Sequence, residues 1–287
     1  MNKIKTRIDK DANYKAIYLN GKTMRLTLDP KKPITNLKYP EFLDIKITNF
    51  CEGNCPYCYM DALDTNPHDL NIVQKIKDYF GNLTPNQKPF QVALGGGEPT
   101  SHPHFIEILK TFADLDIVPN YTTNGMHITQ ELLEATKKYS EGVAVSTHPH
   151  LESYWKSATQ DFSDAGIKTM LHIIISDKTS IDEFFKIFHE WKDRVAYFVL
   201  LPHMEQGRGK HIDIPHKYLL DNIDDPTQIA FGANFFELLK PYQDKFNLSL
   251  YEPEIMSKFL SLPDNKMYKS SFNINQIEKN PYINSNI

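Results

Sequence analysis

The chain has 287 residues, 40% of them hydrophobic, with a formal net charge of −4 and a pI near 6.3. That length suits one large domain, or one domain with a small appendage, and the apolar fraction is enough for a sizeable core. The charge balance gives no reason to expect a nucleic acid or a membrane surface as a partner. No stretch approaches the roughly 18 apolar residues that span a bilayer. The charged start, Met1-Asn2-Lys3-Ile4-Lys5, has no apolar signal-peptide core behind it, so a cytoplasmic location is expected. There are three cysteines, all between positions 51 and 58. An odd, clustered set is a poor disulfide framework and suits a metal site in a reducing compartment.

In chain order, residues 16–19 and 24–28 flank Asn20-Gly21, a tight-turn signal, and are expected to form an N-terminal β-hairpin. The Pro- and Lys-rich stretch 30–40 is expected to be a linker. From there strands and helices alternate. Strands are expected at 42–47, 91–94, 120–123, 143–146, 169–175 and 196–201. Between them come helices starting at Asp69, after Pro103, near Gln130 and over 152–164. A last helix follows a capping box read at Ser180 and Glu183. Six such units imply a parallel sheet wound in one direction with helices outside. The expected fold class is α/β, a partial (β/α)6 barrel with parallel strands, an N-terminal β-hairpin and a short C-terminal extension. The expected division is 1–40, 41–215 and 216–287. A helix is read at 228–239, and poor order is expected in the tail 282–287.

Residues that follow strand C-termini gather at one end of such a fold, where α/β proteins place their sites. The cysteine run Cys51-Glu52-Gly53-Asn54-Cys55-Pro56-Tyr57-Cys58-Tyr59 follows the first barrel strand directly. Thiolates are soft ligands for iron–sulfur clusters or for zinc. Three can hold three irons of a four-iron cluster and leave the fourth open to a small molecule. Zinc would need a further ligand such as His68 or His102. Gly53 and Asn54 allow the tight turn that wraps the loop. Gly95-Gly96-Gly97-Glu98-Pro99 follows the second strand; its glycines allow close backbone approach to a ligand, and its carboxylate can accept from an ammonium.

Together these loops resemble the signatures of the radical S-adenosylmethionine (SAM) superfamily: cysteines at three-then-two spacing with an aromatic, Tyr57, before the last, and a Gly-Gly-Glu-Pro segment. The resemblance covers roughly residues 42–210. It implies a [4Fe–4S] cluster on Cys51, Cys55 and Cys58, with SAM chelating the open iron. It implies that Gly96, Gly97 and Glu98 bind the methionyl amino group and that Pro99 fixes the turn. Thr122-Thr123-Asn124-Gly125 is similar to the family's segment after the third strand, which puts Thr123 and Asn124 near the cofactor. Ser146 stands where relatives place a ribose-contacting serine, and His148 replaces a common aspartate. Lys156 stands where many carry a base that pairs with the SAM carboxylate. The fifth strand, His172-Ile173-Ile174-Ile175-Ser176, should approach the adenine and ribose, with Ser176 a candidate contact, and Leu201 could pack against the adenine. His203, Glu205 and Arg208 are candidate substrate contacts.

The activity so implied is reductive SAM cleavage to a 5′-deoxyadenosyl radical, which abstracts hydrogen from a peptide, nucleoside or small metabolite. A reductant protein such as flavodoxin or ferredoxin would supply the electron. No cysteine follows Cys58, so one cluster is expected. Gly207-Arg208-Gly209 is similar to a segment of peptide-modifying relatives. The rival reading is a non-catalytic iron–sulfur or zinc-binding protein, which leaves the Gly-Gly-Glu-Pro loop unexplained.

Overall fold

The computed structural model describes residues 4–247 and 253–282. It opens with three antiparallel strands in the order β1 (Lys5–Asp9), β2 (Tyr14–Leu19), β3 (Lys22–Thr27). Asn20 and Gly21 carry φ of 49° and 76° in the β2–β3 turn, the left-handed pair that Asn-Gly accepts in a hairpin. The expected hairpin thus gains a third strand, because residues 5–9 pair with β2 along their whole length. Tyr14, Ala16 and Tyr18 bury one face. Arg7 is buried beside them, and its guanidinium donates to the carbonyls of Pro40 (2.8 Å), Lys88 (3.4 Å) and Tyr39. These bonds strap the 30–40 segment and the small sheet onto the N-terminal end of the barrel.

Six parallel strands follow: β4 (Phe42–Thr48), β5 (Gln91–Gly96), β6 (Val118–Thr123), β7 (Val143–Ser146), β8 (Thr169–Ile175) and β9 (Tyr197–Pro202). They are joined by α1 (Ile72–Phe80), α2 (Phe105–Asp114), α3 (Gln130–Tyr139), α4 (Glu152–Asp164) and α5 (Lys178–Trp191). Successive strand side chains point to opposite faces. On β4, Leu43, Ile45 and Ile47 are fully buried under the helices, so Phe42 and Asp44 face the lumen. The helices answer with stripes at helical spacing, such as Phe105, Ile108, Leu109 and Phe112 on α2 and Ile181, Phe184, Ile187 and Trp191 on α5. Each large buried side chain contributes roughly 1.5–3 kcal/mol.

Three local expectations change. Helix α1 starts at Ile72, because Asp69 makes a turn, its carboxylate accepting from the Asn71 N–H at 3.0 Å. The capping box of α5 is Asp177 with Ser180, one turn before the pair read from the sequence. Residues 228–239 do not form one helix: β10 (Ile229–Phe231) pairs in parallel with β9, and short helical turns follow. Pairing with an open sheet edge outweighs local helix preference there.

Past α6 (His216–Asp221), the rest of the chain extends the same sheet. β10 lies beside β9, and β11 (Ser257–Ser261) pairs in parallel with β4 at the opposite edge. β12 (Lys266–Tyr268) and β13 (Ile277–Glu278) continue it antiparallel. The order is β10-β9-β8-β7-β6-β5-β4-β11-β12-β13, an open sheet rather than a closed barrel. The described chain ends on Tyr282, whose ring packs 5.1 Å from that of Phe80. The poor order expected for 282–287 concerns, from 283 on, residues outside the described ones.

Candidate active site

The curved sheet encloses a cavity of about 660 Å³. Cys51, Cys55 and Cys58 line it at the C-terminal ends of the strands, and the Gly21 turn and Glu141 line it at the opposite end. Tyr18 donates to Glu141 there at 2.5 Å, so the N-terminal sheet plugs the bottom of the lumen.

The cysteine loop is held from three sides. Arg208, from the loop after β9, donates to the carbonyls of Cys55 (Nε, 3.0 Å) and Ala62 (Nη2, 3.0 Å) and to Asp61 (Nη1, 2.8 Å). Its own N–H donates to the Cys58 carbonyl at 2.9 Å. Gly207 makes that approach possible: its φ is +61°, and a Cβ there would stand 2.5 Å from the Cys58 carbonyl oxygen. Gln206 adds a bond to the Tyr59 carbonyl at 3.2 Å. From the β7 side, His150 bonds the Gly53 carbonyl through Nε2 at 2.8 Å. From the β6 side, the Asn124 amide lies 4.0 Å from the Cys51 sulfur. Burial pushes the Cys51 thiol up to about 11 and Cys55 up to about 12, with neighbouring thiols adding to the effect and Arg208 opposing it. Loading a cation would therefore displace protons from Cys51 and Cys55.

Gly96 and Gly97 serve the chain itself as much as any ligand. A Cβ on Gly97 would stand 2.0 Å from the Phe50 carbonyl oxygen, and one on Gly96, at φ +107°, 2.5 Å from that of Thr48. The loop can therefore lie flat against the start of the cysteine loop, with Gly97 N donating to Thr48 O and Glu98 N to Phe50 O, both at 2.8 Å. Gly95 is the open position, with nothing within 4 Å of a Cβ on the cavity wall. Glu98 is buried, and its carboxylate accepts from Thr100 N (3.0 Å), Thr100 Oγ1 (2.6 Å), Thr123 Oγ1 (2.8 Å) and Asn124 N (2.7 Å). It pins the end of β5 to the end of β6. Burial raises its pKa, and these bonds oppose the rise. Oε2 accepts one of the four bonds, which leaves it acceptor capacity toward the cavity.

Tyr57, Gly96, Gly97, Glu98, Thr123, Asn124, Ser146, His148, Leu201 and His203 all line the cavity. The Tyr57 hydroxyl is 3.4 Å from His148 Nδ1, and burial lowers the His148 pKa to about 4. His203 Nε2 is tied to the Lys210 carbonyl at 2.9 Å. Five candidates lie elsewhere. Pro99 starts a buried helical turn behind the loop. Lys156 sits on the outer face of α4, paired with Glu152 (2.9 Å) and Glu190 (3.3 Å), because helix positions behind the sheet cannot reach the lumen. Ser176 receives only a backbone role, its N–H donating to Ser180 Oγ in the start of α5. Glu205 is exposed and paired with His211 at 2.5 Å. Arg208 clamps the cysteine loop, with Nε, Nη1 and Nη2 each donating one bond to it. Gly95 lies in the expected glycine loop and His172 on the strand expected near the adenine and ribose, but sequence reasoning missed His150, Gln206 and the lumen residue Asp44. No motif carried them, although strand alternation from Leu43 would have turned Asp44 inward.

The family model described as the radical SAM superfamily matches residues 45–194, just over half of the chain. Among curated proteins, mycofactocin maturase MftC of Mycobacterium tuberculosis is 29% identical over 129 residues, covering 45% of this chain and 31% of that one. A probable GTP 3′,8-cyclase of Sulfurisphaera tokodaii is 26% identical over 125 residues, covering 42% and 38%. The chain thus matches about a third of the length of these relatives. Among solved structures, Streptococcus suis SuiB bound to S-adenosylmethionine superposes with a TM-score of 0.70 at 14% identity, over 99% of this chain and 85% of that one. SuiB bound to precursor peptide SuiA gives 0.69 at 13% identity, over 98% and 87%. With just over half of its length matched by that one family, the chain belongs to the radical SAM superfamily, whose cofactors are a [4Fe–4S] cluster and S-adenosylmethionine.

Proposed function

We propose that this chain cleaves SAM reductively in the cavity and uses the product on a peptide, nucleoside or small metabolite. The observation that carries the reading is the meeting of three otherwise unpaired thiols with the Glu98 loop at one end of a lumen large enough for a cofactor and substrate. The donor set fits a cluster. The thiols sit at the mouth of the cavity, and among the described residues no three His, Cys, Asp or Glu side chains gather around a single ion position. Soft thiolates at this spacing suit the irons of a cluster. His68 and His102, the alternative zinc ligands, are engaged elsewhere: His68 Nδ1 with Thr48 Oγ1 at 3.0 Å, His102 through both ring nitrogens.

In this reading Cys51, Cys55 and Cys58 hold three irons, and Glu98 Oε2 with the Gly95–Gly97 backbone receives the methionyl ammonium. When bound, the cluster and SAM supply one electron and a 5′-deoxyadenosyl radical that removes a hydrogen atom from the substrate. Tyr57 and His148 wall the cavity beside the thiols, and the neutral His148 imidazole can accept or donate one hydrogen bond without adding charge. Leu201 and Met204 offer apolar contact to the adenine. The N-terminal sheet closes the far end against water, which protects a reactive species from quenching. Arg208 acts at one remove, by fixing the loop that bears the thiols. A small redox protein is the proposed electron donor. SuiB's complex with a precursor peptide supports a peptide substrate, while the GTP 3′,8-cyclase relatives support a nucleotide.

Anaerobic reconstitution with iron and sulfide, then SAM and dithionite, tests the reading. About four irons per chain and slow 5′-deoxyadenosine formation are expected. In Cys55→Ala the product should vanish while far-ultraviolet circular dichroism is unchanged. Four irons with no 5′-deoxyadenosine from the intact chain would favour a non-catalytic cluster.

A further inference from the structure

Asp44 is a lumen residue that the chemistry above does not use. It lies on β4, the first barrel strand, and its carboxyl lines the cavity. Among the described residues, no hydrogen-bond donor and no cation meets it, and burial alone pushes its pKa up to about 7. A desolvated carboxyl without a partner is costly, and native proteins rarely keep one without a use.

Among the described residues, nothing neutralises it. Lys46, two residues along β4, is committed to Asp264 at 3.1 Å. The Lys168 ammonium, toward the bottom of the lumen, lies over the Tyr197 ring, 5.3 Å from its centroid. His172 also lines the cavity, but burial lowers its pKa to about 4, so it is uncharged. The further carboxylates on the lining, Glu98 and Glu141, add negative charge rather than cancelling it.

The surroundings of Asp44 are aromatic. Phe259 is its register partner on β11, Phe42 precedes it by two residues on the same face, and Tyr59 faces it from the cysteine loop. Ring faces beside a carboxylate favour an organic cation, through the ring quadrupole and the ion pair together. For a small inorganic cation, no three His, Cys, Asp or Glu side chains gather there among the described residues.

We propose that Asp44, backed by Phe42, Tyr59 and Phe259, recognises a cationic nitrogen on the substrate, an alkylammonium or a guanidinium. This deepens the reading of the cavity as a radical SAM site and rests on it. The substrate class is then an amine- or guanidine-bearing molecule, either a free metabolite or a lysine or arginine side chain presented in a peptide. The carboxylate sits on a strand rather than on a loop, so its distance from the thiol end of the cavity is set by the sheet.

The test uses the reconstituted, SAM-loaded protein at pH 8 and titration calorimetry. The probes are n-butylammonium, N-acetyl-lysine methylamide and its uncharged counterpart N-acetyl-norleucine methylamide. Blocked lysine should bind at least tenfold tighter than blocked norleucine, and Asp44→Asn should cut that ratio below threefold. Tighter binding of n-butylammonium than of blocked lysine assigns a free amine; the reverse assigns a peptide. Equal binding of the charged and uncharged probes by the intact chain overturns the proposal, and that comparison holds even if Asp44→Asn fails to fold. The two readings fail separately. No 5′-deoxyadenosine from the intact chain defeats the SAM assignment. 5′-Deoxyadenosine without discrimination between the probes defeats the role of Asp44 alone.

Discussion

Two of the carboxylates that line the cavity, Glu98 and Asp44, are treated in opposite ways. Glu98, at the rim, accepts four hydrogen bonds from Thr100, Thr123 and Asn124. Asp44, in the lumen, has no partner among the described residues. The rim is therefore finished by the chain itself: Glu98 ties two strand ends together, and Arg208 and His150 tie down the cysteine loop. The lumen is left incomplete. Side chains at the rim hold a frame to which cofactors are added, whereas the lumen keeps an unmet charge for a visitor. A satisfied buried carboxylate supports the fold, and an unsatisfied one weakens it until a ligand arrives.

Opposite stability effects at the two carboxylates would sharpen this contrast most. The folded chain keeps the Asp44 proton to about pH 7, against an ordinary value of 3.8. Between those values the folded state binds more protons than the unfolded state, so stability falls as pH rises from about 4 to about 7 and stays lower above. Asp44→Asn should remove that fall and stabilise the unliganded chain at pH 8 by up to about 4 kcal/mol, less where lumen water screens the charge. Denaturant midpoints at pH 5 and pH 8 check it; no relative gain at pH 8 would break the comparison. Glu98→Gln should do the reverse. One amide N–H₂ would face existing donors, at a cost of about 2–3 kcal/mol. The same variant should weaken SAM binding, read by equilibrium dialysis.

The clamp should matter less to stability than to the cofactor. Arg208→Met removes three side-chain bonds to the cysteine loop and should cost about 2 kcal/mol, since the guanidinium is partly exposed. Iron release to a chelator should speed up several-fold, while a clamp irrelevant to the loop would leave that rate unchanged. Lys156→Ala should have the smallest effect, within about 0.5 kcal/mol, because its ion pairs lie at the surface. A marked loss of SAM affinity in that variant would restore the carboxylate-pairing role read from the sequence.

Legibility followed the range of the contacts. β7, β8 and α4 have the bounds read from the pattern, since periodicity is a local property. The 228–239 segment was misread because its strand exists only by pairing with β9. Lys156 was misplaced because spacing along a helix does not say which face meets the lumen. Glu205 and Arg208 were read as substrate contacts from their place after β9. Their loop folds back instead, so one meets His211 and the other the cysteines.

The sequence by itself determined the cysteine spacing, the glycine–glutamate loop and the alternation that puts both at strand ends. Those are properties of neighbours in the chain, set by backbone geometry and side-chain period. Only the tertiary structure decided that Arg208 holds the carbonyl of Cys55, 153 residues away, and that Glu98 also joins two strand ends. It also decided that Asp44 meets no partner among the described residues. Whether a buried charge is met depends on every wall around it, and those walls come from β4, β8, β11 and the cysteine loop together.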